Sequence, residues 1–362
     1  MTVNRKIKIP MSKPEIGIEE KKSLLDVFET GWFSQGKITK KFESKLSDYL
    51  SSEIAVVNNG TSALICALLA HGIKSGDRIA VPAFTFVATA SAAKLLGIES
   101  IPIDVELNTL NMSLKKLEEV VKKKKIKAVI VVDVAGLSVD LDAFVELAKR
   151  YQFILIEDAA EALGSEYKRK KIGSFQHTTI FSFHIAKAIT TIEGGCISGD
   201  EKIIKKIKQL RDHGSSTNEK YVHEYIGSNF RITDLQSAIG IEQLKKINRF
   251  ILRRNEIAEK YKQNLINLEF QQIPTYVTKH SYMLFFALAK NSKKRDEFLK
   301  KSNKMGVDCR RAWLPIQNQP CFPELAHTKC ENATDIFNRA LTLPIYNSMT
   351  NDEVEYVINA LN

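Results

Sequence analysis

The segment "SFHIAKAITTIEGG" places one lysine, Lys187, among apolar and hydroxyl side chains, a few residues ahead of two threonines and a pair of glycines. An unprotonated amine in such surroundings can attack a carbonyl carbon and form a Schiff base. Taken alone, a lysine beside Thr and Gly is more often a side chain that runs along apolar surface and keeps its amine in water. Lys187 is therefore a candidate nucleophile that needs a second residue to support it.

That second residue is Asp158, which follows a continuous apolar run at 153–156 that is typical of a buried strand. A carboxylate at the end of such a strand is costly unless a cation or hydrogen-bond donors meet it, although an aspartate there can also simply cap a helix. An Asp facing a pyridinium nitrogen and a Lys forming a Schiff base are what pyridoxal phosphate requires from a protein. The pair predicts this cofactor, with Asp158 and Lys187 at opposite ends of its ring.

A phosphate site is predicted in the segment where Gly60, Thr61 and Ser62 follow a strand-like run and open a helix. Backbone N–H groups at a helix N-terminus bind phosphate, and glycine allows a close approach. Ser182, at the start of the lysine segment, adds a hydroxyl, and Phe86 can stack on the face of the cofactor. Each feature has an ordinary alternative, a plain N-cap or a core aromatic. Their joint occurrence near strand ends favours a cofactor site.

These residues are distributed along an alternation of strand-like and helix-like segments. Five short β-rich runs alternate with helical stretches over 53–160, which indicates an α/β fold with a mainly parallel sheet covered by helices. Such sheets bind ligands at the carboxyl ends of their strands. A long helical segment covers 232–265, and the tail from about Glu269 is typical of a smaller α+β region. We predict a large domain over 1–250 and a small C-terminal domain over 251–362.

The composition argues against several other classes of protein. The 362 residues are 44% hydrophobic and carry a net charge of +11. No apolar run reaches the length of a membrane span, and no secretory signal is recognisable, so we expect a cytoplasmic protein without a membrane partner. Five scattered cysteines and no zinc-type motif favour neither disulfides nor a metal. The positive charge lies mostly on solvated helix faces. The prediction of a nucleic-acid partner would depend on this charge alone, so we do not expect one.

An ordered series of motifs along nearly the whole chain resembles the DegT/DnrJ/EryC1/StrS family, the nucleotide-sugar aminotransferases of pyridoxal phosphate fold type I. The matching segments are "IPMSKPEIG", "GWFSQGKITKKFE", "NNGTSAL", "PAFTFVATA", "EDAAEALGS", "SFHIAKAITTIEGG", "GSNFRITDLQSAIG" and "LPIYNSMTNDEVEYVINAL". The resemblance implies a three-layer large domain around a mainly parallel sheet, a smaller C-terminal α+β domain, and pyridoxal 5'-phosphate as the cofactor.

The resemblance also implies roles for individual residues. Lys187 matches the lysine that holds the cofactor covalently and then moves protons. Asp158 matches the acid that keeps the pyridine nitrogen protonated, and Phe86 matches the stacking aromatic. The positions that match phosphate-binding residues are Thr61, Ser62 and Ser182.

Two further matches concern the surroundings of the cofactor. Glu161 occupies a position near the ring hydroxyl, where relatives carry Gln, His or Glu. Asn229, in "GSNFR", matches an asparagine that reaches the cofactor phosphate of the neighbouring subunit. The resemblance thus implies a homodimer with shared active sites, although an asparagine in this context can also be a mere turn residue.

The activity implied by the resemblance is transfer of the amino group of L-glutamate to a nucleotide-linked 4-keto-6-deoxy sugar. The segment "EDAAEALGS" is similar to that of enzymes aminating C-4, among them those acting on UDP-linked N-acetyl sugars and on GDP-linked perosamine precursors. Two alternatives stay open, amination of a 3-keto sugar nucleotide and a cofactor-binding regulatory protein without turnover. Relatives that dehydrate their substrate have histidine in place of the lysine, and this chain keeps Lys187.

Overall fold

The computed structural model describes residues 8–362, in which the chain forms eleven α-helices and fourteen strands. The helices are α1 (Ile18–Thr30), α2 (Lys37–Leu50), α3 (Gly60–Ala70), α4 (Ala88–Leu95), α5 (Leu114–Val121), α6 (Leu141–Tyr151), α7 (Glu201–Leu210), α8 (Asp234–Asn264), α9 (Ser292–Lys304), α10 (Glu331–Arg339) and α11 (Asn351–Leu361). The strands are β1 (Glu53–Val57), β2 (Arg78–Pro82), β3 (Glu99–Ile103), β4 (Ala128–Val132), β5 (Ile154–Asp158), β6 (Glu166–Tyr167), β7 (Lys170–Lys171), β8 (Thr178–Ser182), β9 (Gly195–Gly199), β10 (Glu269–Phe270), β11 (Val277–Lys279), β12 (Phe286–Leu288), β13 (Arg310–Arg311) and β14 (Ala340–Thr342). Residues 1–7 of the predicted large domain lie outside the described residues.

The central sheet has seven strands in the order β1-β9-β8-β5-β4-β2-β3. Strand β9 is antiparallel to both of its neighbours, and the other adjacent pairs are parallel. Strands β4 and β5 pair with Val132 opposite Asp158, so both end at the same edge of the sheet. The predicted mainly parallel sheet is confirmed, and its carboxyl edge is where a ligand site is expected.

Two apolar layers cover this sheet because its central strands alternate their side chains between the two faces. In β4, Val129 and Val131 pack into one cluster with residues of α2, α6 and α8. Ala128 and Ile130 pack into the other cluster with residues of α3, α4 and α7. The strand is buried on both faces, as a parallel sheet between helices requires. The predicted three-layer arrangement is confirmed.

A smaller α+β region follows. Its antiparallel sheet has the order β10-β12-β14-β13, and a third apolar cluster joins it to α9, α11 and the second half of α8. A separate three-stranded sheet, β11-β6-β7, connects residues near 277 to those after β5. Helix α8 contributes Ile247 and Ile251 to the first cluster and Ile257 and Tyr261 to the third. The predicted domain boundary at residue 250 falls within this helix and stays a prediction.

Helix α8 begins at a well-capped N-terminus. The Thr233 hydroxyl accepts a hydrogen bond from the backbone of Gln236, whose side chain bonds back to Thr233. Asp234 accepts hydrogen bonds from the backbone N–H groups of Gly36, Ile38 and Thr39 at the start of α2. These bonds place a negative charge at the N-terminus of α2 and fix the two helices to each other.

Among residues 8–362, no helix is both long and apolar enough to span a bilayer.

Candidate active site

Asp158 ends β5 at the carboxyl edge of the sheet and is buried, with 5% of its surface exposed. Its Oδ2 accepts a hydrogen bond from the Thr89 hydroxyl at 2.8 Å, and its Oδ1 accepts one from the Ala160 backbone N–H at 3.2 Å. Burial raises the pKa of this carboxyl to about 6, against the lowering effect of these bonds and of the charge on Lys187. Asp158 is a buried acid that a cationic ligand group would stabilise in its ionised form.

Lys187 lies in the loop between β8 and β9, with 16% of its side chain exposed. Its Nζ is 3.5 Å from Oε1 of Glu161, a buried residue in the turn after β5. The charge of Lys187 lowers the pKa of Asp158, so the two predicted cofactor residues also interact electrostatically. The structure therefore brings Lys187, Glu161 and Asp158 together at one edge of the sheet.

Glu161 is itself held by an unusual backbone turn. Its Oε2 accepts a hydrogen bond from the Ala135 N–H at 2.8 Å. Ala135 has φ 62, a left-handed conformation that costs energy in a non-glycine residue. Gly136 follows with φ 97, and a Cβ there would lie 1.9 Å from Oγ of Ser281. The turn after β4 therefore presents a backbone donor to Glu161 and orients the carboxylate toward Lys187.

The predicted phosphate site is assembled from α3 and the end of β8. A Cβ on Gly60 would lie 3.0 Å from Cβ of Ser182, so the close approach of these two segments depends on glycine. The Asn59 side chain accepts a hydrogen bond from the Ser62 N–H at 2.8 Å and caps α3. In the described part of the chain the N–H groups of Gly60 and Thr61 have no protein acceptor. They are free to donate to an anion.

Phe86 lies in the turn between β2 and α4, and 58% of it is exposed, which is unusual for a phenylalanine. The carbonyl of Phe86 accepts a hydrogen bond from the N–H of Thr89. Thr89 in turn holds Asp158, so the exposed ring belongs to the same edge of the sheet as the acid. Its position agrees with an aromatic that packs on a bound ring.

Asn229 is the predicted residue that the structure does not bring into this group. It is exposed, and its Oδ1 accepts a hydrogen bond from the backbone of Arg231 at 3.3 Å. The carbonyl of the adjacent Phe230 accepts a hydrogen bond from Asn58 at the end of β1. Within the described residues the Asn229 side chain makes no hydrogen bond to another predicted site residue, and its role across a subunit boundary stays a prediction.

The residues present fit pyridoxal phosphate. Lys187 supplies an amine for the aldehyde, and Asp158 supplies a buried carboxylate for the pyridine nitrogen. The free N–H groups of Gly60 and Thr61 suit the phosphate ester, and Ser182 lies close to Gly60. By contrast, residues 8–362 contain no group of three or more His, Cys, Asp or Glu side chains arranged to hold a metal ion.

Comparison with known proteins agrees with this donor set. Residues 14–362 match the DegT/DnrJ/EryC1/StrS aminotransferase family. The chain belongs to this family. The aminotransferase is 33% identical to GDP-perosamine synthase of Escherichia coli O157:H7 over 357 residues, which cover 98% of each protein.

Solved structures show the same fold. PseC of Helicobacter pylori, an aminotransferase involved in the biosynthesis of pseudoaminic acid, matches with a TM-score of 0.91 and 28% identity over 98% of both chains. Spr1654 of Streptococcus pneumoniae in its PLP form matches with a TM-score of 0.92 and 26% identity over 98% of this chain and 97% of that one. The predicted fold type I architecture is confirmed, and pyridoxal 5'-phosphate is the cofactor of the aminotransferase.

Two contributors to the site of the aminotransferase were not predicted from its sequence. Thr89, which bonds Asp158, stands three residues after Phe86, so the helical spacing at the start of α4 is a signal that was present. Ala135, which bonds Glu161, carries no such signal. Alanine does not favour a left-handed conformation, and only the neighbouring Gly136 marks the turn.

Proposed function

We propose that the aminotransferase transfers the amino group of L-glutamate to the ketone of a nucleotide-linked 4-keto-6-deoxy sugar. The observation that carries this proposal is the placement of Lys187 3.5 Å from Glu161, beside the buried Asp158. The substrate class is supported by the relative from Escherichia coli, which is named GDP-perosamine synthase. The C-4 position is supported by the "EDAAEALGS" segment, which contains both acids.

Pyridoxal phosphate, when bound, supplies an electron sink for the carbanion that forms when an amino acid loses its α-proton. Lys187 Nζ removes that proton from the donor, and in the second half of the reaction it delivers a proton to C-4 of the sugar. Glu161 accepts a hydrogen bond from the lysine amine and keeps it directed into the site. Asp158, once ionised, binds the protonated pyridine nitrogen and so favours the electron-withdrawing form of the ring.

The other predicted residues bind rather than react. Gly60, Thr61 and Ser62 at the start of α3 hold the phosphate together with Ser182. Phe86, whose ring is exposed, would pack on the face of the cofactor ring and exclude water from that side. With the phosphate and the ring held by these residues, Lys187 would be available to move protons.

The first test is the absorption spectrum of the purified holoenzyme before and after L-glutamate is added, alongside a Lys187→Ala variant. We expect a visible band that glutamate bleaches to a near-ultraviolet band in the wild type. The variant should lack the lysine-dependent band and show no turnover. Retained turnover in the variant would show that another residue moves the proton.

The second test identifies the acceptor. The enzyme is incubated with glutamate and with 4-keto-6-deoxy or 3-keto-6-deoxy sugars linked to GDP, UDP or dTDP, and the product is analysed by NMR. We expect nitrogen at C-4 for one of the three nucleotides. Nitrogen at C-3 of a 3-keto substrate, with none at C-4, would contradict the proposed position. A glutamate-responsive enzyme that accepts no keto sugar would contradict the proposed substrate class.

A further inference from the structure

The loop that carries Lys187 is held from outside by three side-chain amides. Asn347 Nδ2 donates a hydrogen bond to the carbonyl of Ala188 at 2.9 Å. Gln243 Oε1 accepts one from the N–H of Thr190 at 3.4 Å, and Gln236 Nε2 donates one to the carbonyl of Glu193 at 2.7 Å. The two glutamines belong to α8, whereas Asn347 belongs to the segment before α11. Of these contacts, the one from Asn347 lies directly beside the lysine.

Asn347 is fixed in turn by Arg254, a residue of α8 with 1% of its surface exposed. Arg254 Nε donates to Asn347 Oδ1 at 2.7 Å, and its Nη1 donates to the carbonyls of Tyr282, Met283 and Ile345 at 3.0, 3.1 and 3.3 Å. In the described part of the chain no carboxylate pairs with this guanidinium. Burial lowers the pKa of Arg254 to about 10. Burying a cation is costly unless its N–H groups are hydrogen-bonded, and neutral oxygens accept the bonds of Arg254 here.

A second series of hydrogen bonds leads from Arg254 to Glu161, the carboxylate that contacts Lys187 Nζ. The carbonyl of Met283 accepts from Arg254, and the N–H of Met283 donates to the carbonyl of Ala135 at 3.0 Å. The N–H of Ala135 donates to Glu161 Oε2 at 2.8 Å. One guanidinium therefore holds the backbone beside Lys187 through Asn347 and the carboxylate of Glu161 through Met283 and Ala135.

We infer that Arg254 and Asn347 are positioning residues that set the separation between Lys187 Nζ and Glu161. This inference rests on the proposed role of Lys187. The Ala188 carbonyl is one peptide beyond the lysine, so a shift of that peptide moves the amine away from Glu161 and from the α-carbon of the donor. Proton transfer depends steeply on such distances, and a displacement of about 1 Å can cost up to roughly 100-fold in rate.

Asn347→Asp separates the two contacts that Asn347 makes. The aspartate keeps an oxygen for Arg254 Nε and adds a charge that complements the guanidinium. It loses the donor to Ala188 and places a carboxylate oxygen against that carbonyl. Asn255→Ala is the matched control. Asn255 is a residue of α8 whose side-chain amide is also hydrogen-bonded. Its Nδ2 donates to the carbonyls of Ile251 and His280, and it makes no hydrogen bond to the loop that carries Lys187.

Hydrogen–deuterium exchange on the cofactor-free proteins gives the first readout. In Asn347→Asp we expect faster amide exchange at 184–193 and unchanged exchange in the central sheet. In Asn255→Ala we expect wild-type exchange at 184–193. Unchanged exchange at 184–193 in Asn347→Asp would overturn the inference, because the amide would then not hold the loop.

Kinetics per bound cofactor give the second readout. We expect kcat of Asn347→Asp to fall roughly tenfold with little change in KM for either substrate. The isotope effect on kcat with 2-deuterated glutamate should increase, because proton removal becomes slower. Asn255→Ala should keep the wild-type kcat and isotope effect even where its melting temperature is lower. If 184–193 exchanges faster in Asn347→Asp but kcat and the isotope effect are unchanged, Asn347 only anchors the loop structurally. That result would overturn the inference.

The exchange experiment needs no turnover, so it separates this inference from the proposed function. Retained turnover in Lys187→Ala would overturn the role of the lysine and, with it, the positioning role. A normal loss of turnover in Lys187→Ala, combined with wild-type behaviour of Asn347→Asp, would overturn the positioning role alone.

Discussion

At the scale of single residues, Asp158 illustrates a conflict between stability and function. The pKa of its buried carboxyl is raised from 3.8 to about 6, so the folded state favours the neutral acid. The proton on Asp158 stabilises the folded state fully below the pKa that this carboxyl has in the unfolded chain. This stabilisation is lost as the pH rises through about 6, the pKa in the folded state. Above that pH, Asp158 of the cofactor-free protein is a buried negative charge. The cationic group that would pair with it is the protonated pyridine nitrogen of the bound cofactor.

Asp158→Asn should therefore stabilise the cofactor-free protein at high pH. At pH 8 we expect the free energy of unfolding to rise by roughly 1–3 kcal/mol, with the gain disappearing near pH 4. Activity should fall by roughly 100-fold or more, because an amide cannot stabilise the protonated pyridine nitrogen. Urea unfolding at pH 4, 6 and 8 measures the first effect, and Asp26→Asn, at an exposed carboxylate, is the control. An equal gain at all three pH values would contradict the assigned cause.

At the scale of secondary-structure elements, the contact between α3 and the end of β8 shapes the phosphate site. Gly60→Ala would place a Cβ 3.0 Å from Cβ of Ser182, and the two segments would have to separate by a few tenths of an ångström. We expect the dissociation constant for pyridoxal phosphate to rise roughly tenfold, or about 1.4 kcal/mol, with the melting temperature nearly unchanged, since alanine favours the helix. Fluorescence titration of the cofactor-free protein measures this constant.

A ligand without phosphate provides the control for this variant. Pyridoxal has the same ring and aldehyde but no phosphate ester, so its binding should be alike in the wild type and in Gly60→Ala. Equal weakening of both ligands would place the effect at the ring or at Lys187 instead of at the start of α3.

The elements also show how far the sequence predicts the fold and the site. The apolar runs of β1 to β5 are long enough to identify, and Asp158 follows the last of them as predicted. Strands β8 and β9, with the sequences "TTIFS" and "GCISG", lack such a run, and only their neighbours in the sheet make them strands. The anchoring of Ala188 by Asn347 joins positions 159 residues apart, and local patterns carry no information about such contacts.

At the scale of the whole molecule, the surface of the chain carries several large apolar side chains. Trp32 is 60% exposed, Tyr221 is 84% exposed and Ile226 is 91% exposed. Tyr221 and Ile226 lie in the exposed segment that leads to Asn229. We propose a homodimer in which the other subunit covers these side chains and Asn229 reaches the cofactor phosphate of that subunit.

Mixing two inactive variants tests the shared site. Asn229→Ala lacks the donated residue and Lys187→Ala lacks the lysine, so each homodimer should be inactive at limiting cofactor. A heterodimer of the two contains one site with both native residues, and after subunit exchange we expect about a quarter of the wild-type activity, since half of the dimers have one of two sites intact. Activity of the mixture is compared with that of the separate variants at the same total concentration. No recovery despite confirmed exchange would show that Asn229 acts within its own subunit, because the lysine and the asparagine would then have to come from the same chain.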